Sequence, residues 1–255
     1  MILAIDVGNT HIVLGCIEQG SILNIVRIRT DPHETTTEYA IKLKDIMELY
    51  SIDPGKLEGA IISSVVPPIT QVLTEAVKKL TGKDCMTVGP GMKTGLNIRI
   101  DDPGTLAPDI LVGSVATMEY YGAPAIIMDL GTATTIVVVD KDRCYRGGAI
   151  VPGVKLSYEA LAAGTSLLPD ISIVPPAKVI GTNTVDAMRS GAVYATAASL
   201  DGMIDRMEEE LGTPCAVVAT GGLAKSITPC CRHKIVCDDD LLLKGLWVLY
   251  TKNKK

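Results

Sequence analysis

The clearest pattern of apolar and polar positions is a short one that occurs twice. Ile2-Leu3-Ala4-Ile5 runs into the polar turn Asp6-Val7-Gly8-Asn9-Thr10, and Ile12-Val13-Leu14-Gly15 follows. In the second half, Ala125-Ile126-Ile127-Met128 leads into Asp129-Leu130-Gly131-Thr132-Ala133-Thr134-Thr135, and Ile136-Val137-Val138-Val139 follows. Short β-branched runs on either side of a Gly-centred turn predict a hairpin in each place. The two aspartates stand 123 positions apart, about half the chain. One such turn is weak evidence, because Asp and Gly are ordinary turn residues. Two in matching strand contexts predict a duplicated domain with a nucleotide between the halves; the alternative is two unrelated hairpins.

The remaining pattern alternates strands with helices. Ser21 to Arg29 continues the first hairpin as a strand. Across residues 34–50 the 3.6 period puts Tyr39, Leu43, Ile46, Met47 and Tyr50 on one helical face. A turn at Asp53-Pro54-Gly55 precedes the buried-strand run Ala60-Ile61-Ile62, and Ile69, Val72, Leu73, Ala76, Val77 and Leu80 then mark a clear amphipathic helix. Residues 89–108 are rich in Gly and Pro and predict a loop, after which Asp109 opens a helix reaching about Tyr121, in position to cap it. Arg146 to Gly153 reads as a Gly-rich turn, followed by helices at 155–163 and 186–211, a strand at 215–219 ending in Thr220-Gly221-Gly222, and a last helix at 240–250. This is the α/β class, with expected domains 1–120 and 121–255.

Composition narrows the setting. The chain has 255 residues, 47% hydrophobic and without Phe, so its cores are built from Ile, Val, Leu, Ala and Met. A net charge of −5 with scattered charges argues against nucleic acid as a partner. No apolar run approaches the ~18 residues of a membrane span. The chain starts on a strand without a basic leader, and its seven cysteines lack disulfide-domain spacing, so the expected compartment is the cytoplasm.

The candidate chemistry lies in the turns. Gly131 lets backbone approach a ligand, Thr132, Thr134 and Thr135 offer hydroxyls, and Asp129 is placed to hold a hard cation directly or through water. No P-loop or dinucleotide fingerprint occurs. Phosphate chemistry would therefore rest on turn amides, hydroxyls and carboxylate-held Mg²⁺. Asp109, at a helix start beside a loop, reads either as a proton acceptor for an attacking hydroxyl or as a plain N-cap. His11 reads as a phosphate contact or as a peripheral residue. Cys230-Cys231-Arg232-His233 with Cys237 fits no standard zinc spacing and reads as ordinary reduced thiols.

Taken together, these motifs resemble the type III pantothenate kinases, within the acetate/sugar-kinase, actin and heat-shock-chaperone ATPase superfamily. The resemblance spans essentially the whole length. Asp6 to Thr10 resembles the first phosphate motif and Asp129 to Thr135 the second, with Gly147 to Gly153 and Thr220-Gly221-Gly222 similar to motifs near the adenosine. Ser64-Val65-Val66-Pro67, Gly181-Thr182-Asn183-Thr184 and the Leu241 to Tyr250 ending also sit where that family has them.

The resemblance implies duplicated actin-like ATPase (ribonuclease H-like) domains with a nucleotide cleft between them, and ATP-dependent phosphorylation of pantothenate, the first step towards coenzyme A. It implies Asp109 as catalytic base, and Asp6, Val7, Gly8, Asn9, Thr10, His11, Ile12, Val13 and Thr132 as ATP contacts. It also implies Asp129 as the site of a monovalent cation, K⁺ or NH₄⁺, and Mg²⁺ near Asp6, held directly or through water. Pantothenate would meet residues Ala107, Pro108, Asp109, Ile110 and Thr184, in a homodimer. Where the family commonly has Gly-Ala-Asp-Arg, this chain has Ala107-Pro108-Asp109-Ile110: the Asp is kept, and the Gly and the basic residue are replaced. Two other readings stand beside it: a non-catalytic nucleotide-binding relative that regulates a partner, and a same-fold kinase or phosphatase for another small molecule.

Overall fold

The computed structural model describes residues 1–254, and contacts divide them into two units. In the first, β1 (Ile2–Val7) and β2 (His11–Glu18) pair antiparallel across the turn in which Gly8 N–H donates to His11 O at 2.9 Å. β3 (Ser21–Arg29) extends this meander on the far side of β2. After α1 (Thr36–Leu49), β4 (Gly59–Ser64) pairs parallel to β1; after α2 (Pro67–Thr81), β5 (Cys85–Thr87) pairs parallel to β4. The sheet order is β3-β2-β1-β4-β5.

The helices start and stop where their sequences say they should. Thr35 and Glu38 form a reciprocal capping box at the start of α1. Pro67 occupies the first turn of α2, whose end is set by Gly82 in the left-handed conformation. Leu3, Ile5 and Val7 of β1 bury against Tyr39, Leu43 and Leu73. Tyr39 is fully buried, and its hydroxyl donates to Asp31 O at 2.9 Å. Tyr50, expected on the buried face of α1, is instead the exposed C-cap residue, because the helix ends one residue earlier.

The second unit repeats the plan. α3 (Pro108–Tyr120), which belongs to the first unit up to Ala116, leads into β7 (Ala125–Leu130), which pairs antiparallel with β8 (Ala133–Val139), and β8 with β9 (Cys144–Pro152). β10 (Ala216–Thr220) runs parallel to β7, and β11 (Val236–Cys237) parallel to β10. A two-residue strand, β6 (Asn97–Ile98), pairs with β9, giving the order β11-β10-β7-β8-β9-β6. Apart from β6, this is the first sheet again: a three-stranded meander followed by two parallel strands. α4 (Val154–Ala163), α5 (Thr184–Ser190), α6 (Thr196–Leu211) and the short α7 (Ala224–Ile227) complete the unit. Its core joins Ile126, Met128, Ile136 and Val138 to Leu200 and Ile204 of α6.

Four expectations are corrected. Arg146 to Gly153 is mostly strand, not turn; Gly148 crosses β8 so closely that a Cβ would lie 2.0 Å from Ile136 O. The 89–108 loop contains β6 and a 3₁₀ turn at Pro103–Thr105. The helix over 186–211 is two α-segments joined by a π-helical turn, Gly191–Ala195. The units are not 1–120 and 121–255: residues 96–101 belong to the second unit, and the C-terminal helix α8 (Leu241–Asn253) belongs to the first, where it packs on β1 and β4. Sequence order alone gives no sign of that return.

Within the first unit, α8 meets α3 at Gly245, where a Cβ would stand 2.3 Å from the backbone oxygen of Val112. Backbone cannot swing aside as a long side chain does, so overpacking outweighs the ~1 kcal/mol of helix propensity that Ala would add. Gly245→Ala is expected to lower stability by about 1–3 kcal/mol in urea unfolding. Gly89→Ala, with nothing within 4 Å of its Cβ position, should stay within about 0.5 kcal/mol of the parent.

Candidate functional site

Asp6 and Asp129 occupy equivalent places. Each is the fifth residue of a six-residue central strand, just ahead of a hairpin turn. Asp6 is 8% exposed and Asp129 half-buried. Carboxylates at this depth suit a hard cation, whose charge and bound waters offset the cost of desolvating them.

The first turn is braced from β3's end: Thr30 Oγ1 donates to Gly8 O at 2.7 Å, and Thr30 N–H to Thr10 O at 3.1 Å. Asn9, Thr10 and His11 present exposed side chains there. Val7 and Ile12, by contrast, are buried in the hydrophobic core, so a ligand can meet them only through backbone. Val13 is half-buried opposite Asp6. Thr30 carried no signal in the sequence, since only the β2–β3 pairing brings it to the turn.

The second turn is clamped by glycines. Gly131 N–H donates to Ala133 O, and Gly153 N–H to Thr132 O, each at 3.1 Å. A Cβ at Gly153 would lie 2.3 Å from Thr132 O. At Gly221, where φ is +97°, a Cβ would lie 2.4 Å from Asp129 Oδ1. The Thr220-Gly221-Gly222 motif thus has a steric reason: β10 ends against the carboxylate of Asp129. Thr132 is exposed on this turn. Thr184 is exposed as the first residue of α5, whose start is capped by Asn183 accepting from Asp186 N–H at 2.9 Å.

Asp109 does not cap α3, which starts one residue earlier at Pro108. Its carboxylate instead accepts the amide of Ile110 at 2.7 Å. Residues 107–110 are all half-buried. Burial pushes the Asp109 carboxyl above its ordinary value, with the amides of Ile110 and of Asp109 itself opposing. The structure groups Asp6 and residues 107–110 in the first unit, and Asp129, Thr132 and Thr184 in the second.

The cysteine cluster has structural work. Cys231 Sγ donates to the carbonyls of Ala197 and Ile227, while the Arg232 and His233 amides donate to Asp201. His233 Nε2 pairs with Asp205 at 2.8 Å. Burial raises the thiol of Cys231 to about 12, so it is a poor thiolate at neutral pH. Among the described residues no helix is long and apolar enough to cross a membrane.

The raised carboxyl of Asp109 has a thermodynamic consequence. A carboxyl that holds its proton to higher pH in the folded chain favours folding most at pH below its unfolded value. That advantage is lost as pH rises through the folded value, so the ionised group costs stability at neutral pH. Asp109→Asn keeps the shape and removes the charge. It is expected to raise the melting temperature at pH 7 by about 1–3 °C, with the gain fading towards pH 3, in scanning calorimetry across that range.

Residues 2–206 match the family model described as type III pantothenate kinase. A type III pantothenate kinase from Bacillus cytotoxicus is 42% identical over 253 residues, covering 99% of this chain and 97% of that protein. Among solved structures, component A of (R)-2-hydroxyglutaryl-CoA dehydratase from Acidaminococcus fermentans aligns with a TM-score of 0.58 at 12% identity, over 97% of this chain and 95% of that one. A ROK family glucokinase from Streptomyces griseus, in complex with glucose and AMPPNP, aligns with a TM-score of 0.50 at 12% identity, over 98% and 99%. At such identities these two likenesses speak for the fold, which is the duplicated actin-like one. On the family model and the relative together, the chain belongs to the type III pantothenate kinase family.

Proposed function

We propose that the chain transfers the γ-phosphoryl group of ATP to the primary hydroxyl of pantothenate, giving 4'-phosphopantothenate, with Asp109 as the base. As a member of its family the chain is a kinase with an alcohol acceptor. The observation carrying the finer reading is the half-buried Asp109 carboxyl, raised by its surroundings at the start of α3. A carboxyl raised in this way is the stronger base. Asp109 takes the proton of the substrate hydroxyl as that oxygen bonds to the γ-phosphorus; the bond to the bridging oxygen breaks, and ADP leaves.

The chain's other residues position and neutralise. In the first unit the Gly8–His11 turn offers amides and the exposed Asn9, Thr10 and His11 side chains to phosphate, with Val7, Ile12 and Val13 supporting through backbone. In the second, Thr132 does the same. Asp6 provides the carboxylate for Mg²⁺, and its burial beside a hydroxyl residue fits an oxygen-loving cation. Asp129, held against Gly221, fits a monovalent cation, K⁺ or NH₄⁺. The bound cations would neutralise charge developing on the phosphates. Ala107, Pro108, Ile110 and Thr184 are the proposed pantothenate contacts. A homodimer is proposed as well, supported by apolar surface on the second unit: Leu156, Leu161, Leu167, Val179 and Ile180 are between 40% and 90% exposed. The cytoplasm is the proposed compartment, consistent with seven free cysteines.

The test is ADP release with Mg²⁺-ATP and pantothenate, in K⁺ or NH₄⁺ against Na⁺. Pantothenate-dependent turnover requiring K⁺ or NH₄⁺ is expected, and Asp109→Asn should lower kcat about 10²–10⁴-fold with ATP binding intact. Normal turnover of that variant would remove Asp109 as base. ATP binding without pantothenate-dependent turnover would favour a regulatory relative or another small-molecule acceptor. Ile110→Arg, which supplies a guanidinium able to pair with the pantothenate carboxylate, should lower the Kd for pantothenate in calorimetry; an unchanged Kd would show that position 110 is not where the carboxylate is anchored.

A further inference from the structure

Partners on neighbouring parallel strands carry their side chains on the same face of the sheet. Asp6 stands opposite Ser63 in the β1–β4 ladder. Their face is the one away from α1 and α2: the flanking pair Ile5 and Ile62 belongs to the core with Tyr39 and Leu73. Ser63 is fully buried, and among the described residues its hydroxyl has no hydrogen-bond partner. An unpaired buried hydroxyl is unfavourable, and an alanine at that place would bring no such penalty. The second unit repeats the arrangement. Thr220 stands opposite Asp129 in the β7–β10 ladder and is 4% exposed. A buried hydroxyl residue accompanies the aspartate at the same ladder step in both halves, which packing alone does not call for.

Building on the phosphotransfer reading above, we propose that Ser63 is a positioning residue for Asp6. Its hydroxyl finds its partner in the nucleotide-loaded protein, in the hydration shell of the Mg²⁺ ion that Asp6 holds, and thereby fixes the Asp6 carboxylate towards that ion. Mg²⁺ keeps several of its waters when bound through few carboxylates, and those waters need acceptors. Groups one step removed from a metal orient its ligands, and their loss typically costs about 10–100-fold in metal affinity. The hydroxyl oxygen accepts from a metal-bound water, and its proton is free to reach a carboxylate oxygen.

The experiment is calorimetric titration of ATP with and without Mg²⁺ into wild type, Ser63→Ala and Ser63→Thr, with melting temperatures measured alongside. The expected result for Ser63→Ala is unchanged affinity for metal-free ATP, about 10-fold weaker binding of Mg²⁺-ATP, and a melting temperature equal to or above wild type. Ser63→Thr, which keeps the hydroxyl, should restore the Mg²⁺ preference; should its extra methyl prevent folding, the alanine variant decides alone. A Ser63→Ala protein with wild-type Mg²⁺-ATP affinity, or one equally weakened for both forms of ATP, overturns the inference and leaves the phosphotransfer reading standing. Wild type that binds ATP identically with and without Mg²⁺ would bring down both.

Discussion

Each central strand of this chain has to satisfy two opposed demands. β1 and β7 are flanked on both sides by other strands and covered by helices, so nearly every position is apolar and buried. Yet each carries an aspartate one residue from its end, where an ionised group is costly unless something compensates it. The hairpin resolves the conflict by ending the strand immediately afterwards. The carboxylate therefore sits where apolar packing gives way to a polar turn with exposed hydroxyls and amides. Displacing it by one residue would turn it to the opposite face, which in the first unit is the core occupied by Ile5, Val7 and Tyr39.

From that constraint the surrounding glycines follow. A carboxylate held at a strand end requires neighbouring backbone to come close without a side chain in the way. In the second unit Gly221 does this beside Asp129 and Gly153 beside the Thr132 carbonyl. Both lie far along the chain from the turn they serve, one at the start of α4 and one after β10. The meander-then-parallel topology brings them back, since β9 ends beside the start of β8 and β10 ends beside the end of β7. The first unit uses a different brace, the Thr30 hydroxyl on Gly8 O, so the two halves share a plan without sharing every contact.

Local periodicity and turn chemistry made the hairpins, α1, α2 and the duplicated plan readable in advance. Among the features that escaped, three show the physical reason. β9 looked like a turn because Gly147 and Gly148 are turn formers in isolation; their use in close strand approach depends on β8, which the local sequence does not contain. The return of α8 to the first unit is a long-range contact with no local signature. The N-cap alternative for Asp109 fails because the helix already begins at Pro108, proline being common as a first helical residue. The proposed site residues stand out in the sequence by type and spacing. The bracing Thr30 hydroxyl and the buried Ser63 do not, because only the neighbouring strands bring them beside the aspartate turns.

Asp109 sets a trade-off that the rest of the first unit has to absorb. Each unit of pKa separation between folded and unfolded chains corresponds to about 1.4 kcal/mol between protonation states. A base made stronger by burial therefore destabilises the ionised native state by the same interaction that makes it a better proton acceptor. The Ile110 amide limits this cost by holding the carboxylate, which also lowers its basicity. A fully buried carboxyl would bind its proton too tightly to act near neutral pH, and a fully solvated one would have little basicity to offer. At the half-buried start of α3, burial raises the Asp109 carboxyl while the amides of Ile110 and of Asp109 itself oppose that rise. The Asp109 carboxyl, the proposed proton acceptor, sits on a helix packed through Val112 against Gly245 of α8, where its backbone is held by the first unit.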